Sequence, residues 1–140
     1  MSRYLLDTNV LVFFILGETE NLTTEITSIL NDYNNQLYAS SVSVFELLQL
    51  YRIKKIKTKE FKNATELYNA IQDRLYIKII PFTEKHTKIL AKLKIADGHN
   101  DPFDHSIISS AIADKMILVS SDRQFENYTK QHLNFAYNKR

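Results

Sequence analysis

The segment MILVSS, residues 116 to 121, is as apolar as a strand covered on both faces of a parallel sheet should be. RYLL (3 to 6) and QLYAS (36 to 40) read as further short strands, and YIKIIPF reads as another, ended by Pro81. Between them lie stretches with helical spacing of apolar residues. A helix is expected over about 9 to 16, stopping at Gly17, and TTEITSILNDY carries Ile26, Ile29 and Leu30 on one helical face. SVSVFELLQLYRI, KEFKNATELYNAIQDRL and TEKHTKILAKLKI are expected helices, and DPFDHSIISSAIADK is a helix opened by a proline. HLNFAY is expected as a last strand. Strands and helices that alternate in this way predict an α/β fold, with a central mostly parallel sheet and helices on both faces. Such folds place their sites beyond the carboxyl ends of the strands.

Size and composition narrow the classes. A chain of 140 residues with 44% hydrophobic side chains suits one globular domain over 1–140. The longest unbroken apolar run, VLVFFIL, is far shorter than the roughly 20 residues of a membrane-spanning helix, and no secretory leader pattern precedes it. A soluble, cytoplasmic protein with no membrane partner is expected. The absence of cysteine excludes disulfides and thiolate metal sites, so a metal would need oxygen or imidazole ligands. The formal net charge of +2 is too small to declare a nucleic-acid partner. Locally, RIKKIKTKEFK carries Arg52, Lys54, Lys55 and Lys57 among six cations against the single acid Glu60. That segment suits phosphate contacts, or equally a solvated helix end.

Four acids fall near the expected sheet edge. Asp7 follows RYLL and Asp122 follows MILVSS, so each caps a strand whatever the strand order. Either one alone is explained more simply as a helix N-cap. Asp101 fits an N-cap ahead of Pro102, whereas Asp104 shares a helical face with Ile107, Ile108 and Ala111 and points toward the sheet. Glu46 follows the second strand on its helix, a polar and partly exposed position that alone would not be singled out. Together the four are more specific than any one. Carboxylates gathered within a few ångströms cannot all stay ionised unless protons or cations offset them, and hard divalent cations such as Mg²⁺ or Mn²⁺ are the usual answer.

LLDTNVL, SSVSVFELL, HNDPFDHSIISSA and LVSSDRQF resemble, in order and spacing, the four signature segments of the PIN-domain ribonucleases, specifically the VapC-type toxins of type II toxin–antitoxin systems. The likeness runs from Tyr4 to Tyr137. It implies a PIN-like three-layer fold and a quartet of acids, Asp7, Glu46, Asp104 and Asp122, that binds Mg²⁺ or Mn²⁺. Asn9 matches a position that supports the first aspartate, and Ser120 stands where a threonine or serine lines the site. Asp101 is left to capping or to outer support. Many relatives carry arginines where this chain has His105 and Ser121; His105 reads as a neutral surface histidine. His86, His99 and His132 lack metal-ligand spacing such as HExxH and receive no catalytic role.

The resemblance further implies a metal-dependent endoribonuclease that hydrolyses RNA by activated water. Asp7, Asp104 and Asp122 would hold metal, and Glu46 would bind it through water or orient the attacking water. The segment 52 to 62 would contact RNA or a protein partner. Relatives act as homodimers silenced by a cognate antitoxin, and Phe13, Phe14, Phe45, Leu48 and Tyr51 are candidates for such contacts, with ordinary core the expectation for at least half of them. Two rivals stand beside this reading: a non-catalytic module that binds metal or a basic partner, and a Mg²⁺-dependent phosphatase of the haloacid dehalogenase type. The phosphatase would need an aspartate where this chain has Asn9, which cannot protonate a leaving group.

Overall fold

The computed structural model describes residues 2–140. The chain runs β1 (Arg3–Leu6), α1 (Thr8–Ile15), α2 (Thr24–Asn31), β2 (Gln36–Ser40), α3 (Ser41–Arg52), α4 (Ala64–Asp73), β3 (Ile77–Ile80), α5 (Glu84–Lys92), α6 (Pro102–Asp114), β4 (Ile117–Ser120), a 3₁₀ segment (Arg123–Gln131) and β5 (Asn134–Tyr137). All five strands are parallel, in the order β3-β2-β1-β4-β5. The three layers follow from the period of two along each strand, which sends neighbouring residues to opposite faces. Leu5 and Leu118 meet Ile107, Ile108 and Ala111 of α6, together with Phe125 and Tyr128. Leu6 and Val119 instead join Val10 and Leu11 of α1, Val44 and Leu47 of α3, and Leu67 and Ile71 of α4.

The strand order has one reversal. From β1 the chain builds outward through β2 to β3, then returns across the sheet to add β4 and β5 on the other side of β1. The crevice at the carboxyl ends of β1 and β4 is therefore the topological switch point, where an open parallel sheet leaves room for a ligand. The ladder runs right up to it: Leu6 is paired with Val119, and the Asp7 N–H donates to the Val119 carbonyl at 2.9 Å.

One expected element differs. The helix expected from Lys59 starts only at Ala64, because the Asn63 side chain accepts the Glu66 N–H at 3.0 Å and caps it there. Residues 53 to 62 form turns instead, held by Lys55 and Ile56 N–H groups on the Leu50 carbonyl and by the Tyr51 hydroxyl on the Phe61 carbonyl. Of the five apolar residues considered for partner contacts, Phe13 is buried, Phe14, Leu48 and Tyr51 are half-buried, and Phe45 is exposed. Among the described residues no helix is long and apolar enough to cross a membrane.

Candidate active site

Asp7 is the N-cap of α1, and only 5% of its surface is exposed. Its Oδ1 accepts the Thr8 N–H at 2.8 Å and its Oδ2 accepts the Ser120 hydroxyl at 2.7 Å. Burial pushes its pKa up from 3.8 to about 7; the Ser120 hydrogen bond opposes that rise, and the charges of Asp104 and Glu46 add to it. Thr8 carries the link onward, its hydroxyl donating to Glu46 Oε1 at 2.5 Å from the neighbouring α3. Ser120, the last residue of β4, makes a second link by accepting the Asp122 N–H at 3.0 Å. Asp122 in turn caps the 3₁₀ segment through the Gln124 N–H at 2.9 Å. Capping and site-building are thus one device, since the cap fixes where each carboxylate stands.

Asp104 enters from the first turn of α6, half-buried. Its pKa is raised chiefly by burial, against the hydrogen bond from His99, with the charges of Asp101 and Asp122 raising it further. One ligand atom each of His99, Asp104 and Asp122 lies within 4.8 Å of the others. Asp7 and Glu46 stand outside that group: Thr8 links Asp7 to Glu46, Ser120 links Asp7 to Asp122, and Asp104 reaches Asp7 through its charge. Among the described residues, no Lys or Arg forms an ion pair with any of them.

The hydrogen-bond pattern around these carboxylates is uneven. Glu46 Oε1, Asp104 Oδ2 and Asp122 Oδ1 each accept a protein donor, while Glu46 Oε2, Asp104 Oδ1 and Asp122 Oδ2 accept none among the described residues. One oxygen of each is anchored and the other is left for a ligand. An all-oxygen donor set without thiolates suits Mg²⁺ or Mn²⁺.

The supporting residues divide. Ser120 donates its hydroxyl to Asp7 Oδ2. Asn9 is exposed and makes no hydrogen bond to Asp7 among the described residues; Thr8 and Ser120 perform that support. Asp101 caps α6 through the Phe103 N–H at 2.9 Å and reaches Asp104 only through its charge. Ser121 accepts the side-chain N–H of buried Asn138 at 2.8 Å, so its hydroxyl fastens the carboxyl end of the chain. Arg52, Lys54, Lys55 and Lys57 are exposed at the other end of α3, about 9 Å along the helix axis from Glu46 to Arg52. Arg52, Lys54 and Lys57, with Tyr51 and Ile56, line a separate cleft of about 540 Å³; Lys55 does not.

Two histidines depart from the sequence reading. His105 is not a surface residue: it is 8% exposed, its Nε2 lies 2.8 Å from the His99 carbonyl, and its ring meets that of His99 edge to face at 5.0 Å. His99 is 2% exposed, with Nε2 at 2.9 Å from Asp104 Oδ2 and Nδ1 at 2.9 Å from the Tyr128 hydroxyl. No helical or ligand spacing signals this, because His99 reaches Asp104 from a loop that turns back at Gly98, whose φ is +78°.

A family model for the PIN domain matches residues 4–131. Among solved structures, the chain is similar to VapBC2 from Rickettsia felis bound to a DNA fragment from its promoter, at 22% identity and a TM-score of 0.67, covering 98% of this chain and 99% of that one. DNA-bound VapBC from Salmonella typhimurium gives 17% identity and a TM-score of 0.67, with 98% of each chain covered. VapBC-1 from nontypeable Haemophilus influenzae gives 16% and 0.64, with 96% of this chain and 97% of that one covered. At these identities the likeness shows the fold alone. None of the curated proteins compared matches the chain.

Proposed function

The chain belongs to the PIN-domain family, and from that premise we propose that it is a Mg²⁺- or Mn²⁺-dependent endoribonuclease, the toxin of a VapC-type toxin–antitoxin pair. The observation that supports the reading is the clustering of Asp104 and Asp122 beside His99 at the switch point, with Asp7 and Glu46 tied in through Ser120 and Thr8 and, among the described residues, three carboxylate oxygens that accept no protein donor and no Lys or Arg ion pair. Asp7, Asp104 and Asp122 are the residues that would hold the cation. Bound there, it would supply Lewis-acid activation of water and neutralise charge at the phosphate.

The protein's own groups would do the rest. Ser120 and the Thr8 N–H hold Asp7 by both oxygens, so this carboxylate cannot swing when substrate arrives. The Thr8 hydroxyl fixes Glu46 by Oε1, leaving Oε2 to accept a proton from, and so orient, an attacking water. The exposed Arg52, Lys54, Lys55 and Lys57 serve the RNA backbone away from the scissile bond. A cognate antitoxin covers the acidic crevice, and the chain works as a homodimer in the cytoplasm.

RNA cleavage with Mg²⁺ or Mn²⁺, with EDTA as control and Asp7→Asn alongside, tests this reading. The expected result is metal-dependent cleavage that falls on the order of 100-fold or more in Asp7→Asn, beyond the roughly 10–100-fold cost of removing an outer partner of a metal ligand. Cleavage untouched by Asp7→Asn would belong to another nuclease. No cleavage of any RNA would leave a binding module.

A further inference from the structure

We propose that Tyr128 and His99 form a positioning relay that fixes the Asp104 carboxylate for the cation, the Tyr128 hydroxyl donating to His99 Nδ1 and the His99 Nε2–H donating to Asp104 Oδ2. The inference rests on the cation-binding reading of the crevice and goes beyond it, because neither residue belongs to the acidic quartet.

A count of protons at buried groups carries the argument. Tyr128 is fully buried, and its hydroxyl oxygen accepts the Ala96 N–H at 3.1 Å. The same hydroxyl lies 2.9 Å from His99 Nδ1. If Nδ1 carried the proton it would donate to Tyr128, and the Tyr128 hydroxyl hydrogen would be left buried with no acceptor, an unfavourable arrangement. With the roles reversed every group is satisfied: Tyr128 donates to Nδ1, and the single ring proton sits on Nε2. Nε2 lies 2.9 Å from Asp104 Oδ2, so it donates there. A nitrogen that carries a hydrogen has no lone pair for a cation, which makes His99 a holder of Asp104 and not a ligand.

The ring is also packed on several sides. It is packed against Phe125 at 5.7 Å, Tyr128 at 5.4 Å and His105 at 5.0 Å between centroids. His105 also fixes the backbone, its Nε2 facing the His99 carbonyl at 2.8 Å. Phe125 and Tyr128 come from the 3₁₀ segment that Asp122 caps, so the relay joins the supports of Asp104 and Asp122 into one block. The consequence is that Asp104 is held by Oδ2 alone, with Oδ1 free for the cation.

Long-range ¹H–¹⁵N correlation spectra of the metal-free protein, with His99 assigned by its loss in His99→Gln, are expected to show His99 protonated at Nε2 and bare at Nδ1. In Tyr128→Phe the two tautomers should mix. Mn²⁺ titration by calorimetry is expected to give a Kd raised about 10-fold or more in His99→Ala and Tyr128→Phe. His99→Gln, whose amide N–H reaches the place of Nε2, should stay within about threefold of the wild type if the hydrogen bond is what matters. A protonated Nδ1, an unchanged tautomer in Tyr128→Phe, or a folded His99→Gln that binds as poorly as His99→Ala would overturn the relay. Should neither His99 variant fold, the Tyr128→Phe tautomer and Kd decide it. Wild-type protein that binds no Mn²⁺ would instead defeat the cation reading, and the metal-free spectrum would still judge the relay.

Discussion

Asp7 carries a pKa raised to about 7 because its carboxylate is buried beside other acids, and that makes the metal-free fold pH-dependent. The folded state binds this proton more tightly than the unfolded chain, so the stabilisation is complete below about pH 4 and is lost as pH rises through 7. Metal-free protein should therefore be less stable at pH 8 than at pH 5, by roughly 2–4 kcal/mol from this group. Asp7→Asn, which keeps the shape without the charge, should flatten that slope, and Mn²⁺ should raise the wild-type melting temperature more at pH 8 than at pH 5. Thermal melts of both proteins across this range check the prediction; an equal slope in Asp7→Asn would contradict it. At this scale Asp7 and Asp122 stand out in the sequence because each follows a strand, and Asp104 because it heads the apolar face of its helix, whereas Glu46 carries no signal of its own. His99 carries none either, since its contact with Asp104 is made by a loop doubling back. His105 was misjudged because the face of α6 carries little contrast: Ser106, Ser109 and Ser110 are buried there, their hydroxyls satisfied by carbonyls three or four residues earlier.

Among the elements, α6 does the most to place the site, since Ile107 and Ile108 key it to the sheet while Asp104 heads its first turn. Ile107 is fully buried, so Ile107→Ala should cost about 2–5 kcal/mol in chemical denaturation, with the unfolding slope m unchanged. The apolar run marks β4 most clearly, because a buried parallel strand shows no alternation, whereas β3 carries exposed Lys78 and β5 is at most half-buried. The start of α4 was misread because lysines and Phe61 continue a plausible helical pattern, while Asn63 and the bonds back to Leu50 and Phe61 stop it. What remains of that stretch is a charged turn. Changing Lys54, Lys55 and Lys57 together to alanine should leave cleavage chemistry in place and weaken RNA binding. It should also reduce the slope of log affinity against log salt by about 2, at about 0.7 per phosphate contact on single strands. An unaltered slope would assign the segment to another partner.

For the molecule as a whole, the decisive fact is the order β3-β2-β1-β4-β5, which sets β1 beside β4 and brings Asp7 and Asp122, over a hundred residues apart, onto one Ser120 hydroxyl. The parallel sheet was legible from the alternation of elements. Its order was not, because parallel strands carry no pairing code in a single sequence. The central claim is that this order creates one cation site, and a crystal soaked in Mn²⁺ tests it most directly through anomalous scattering at the manganese edge. The account predicts a peak in the crevice within about 2.1 Å of carboxylate oxygens of Asp7, Asp104 and Asp122, with His99 Nε2 still on Asp104. An empty crevice in a crystal binding Mn²⁺ elsewhere would contradict it.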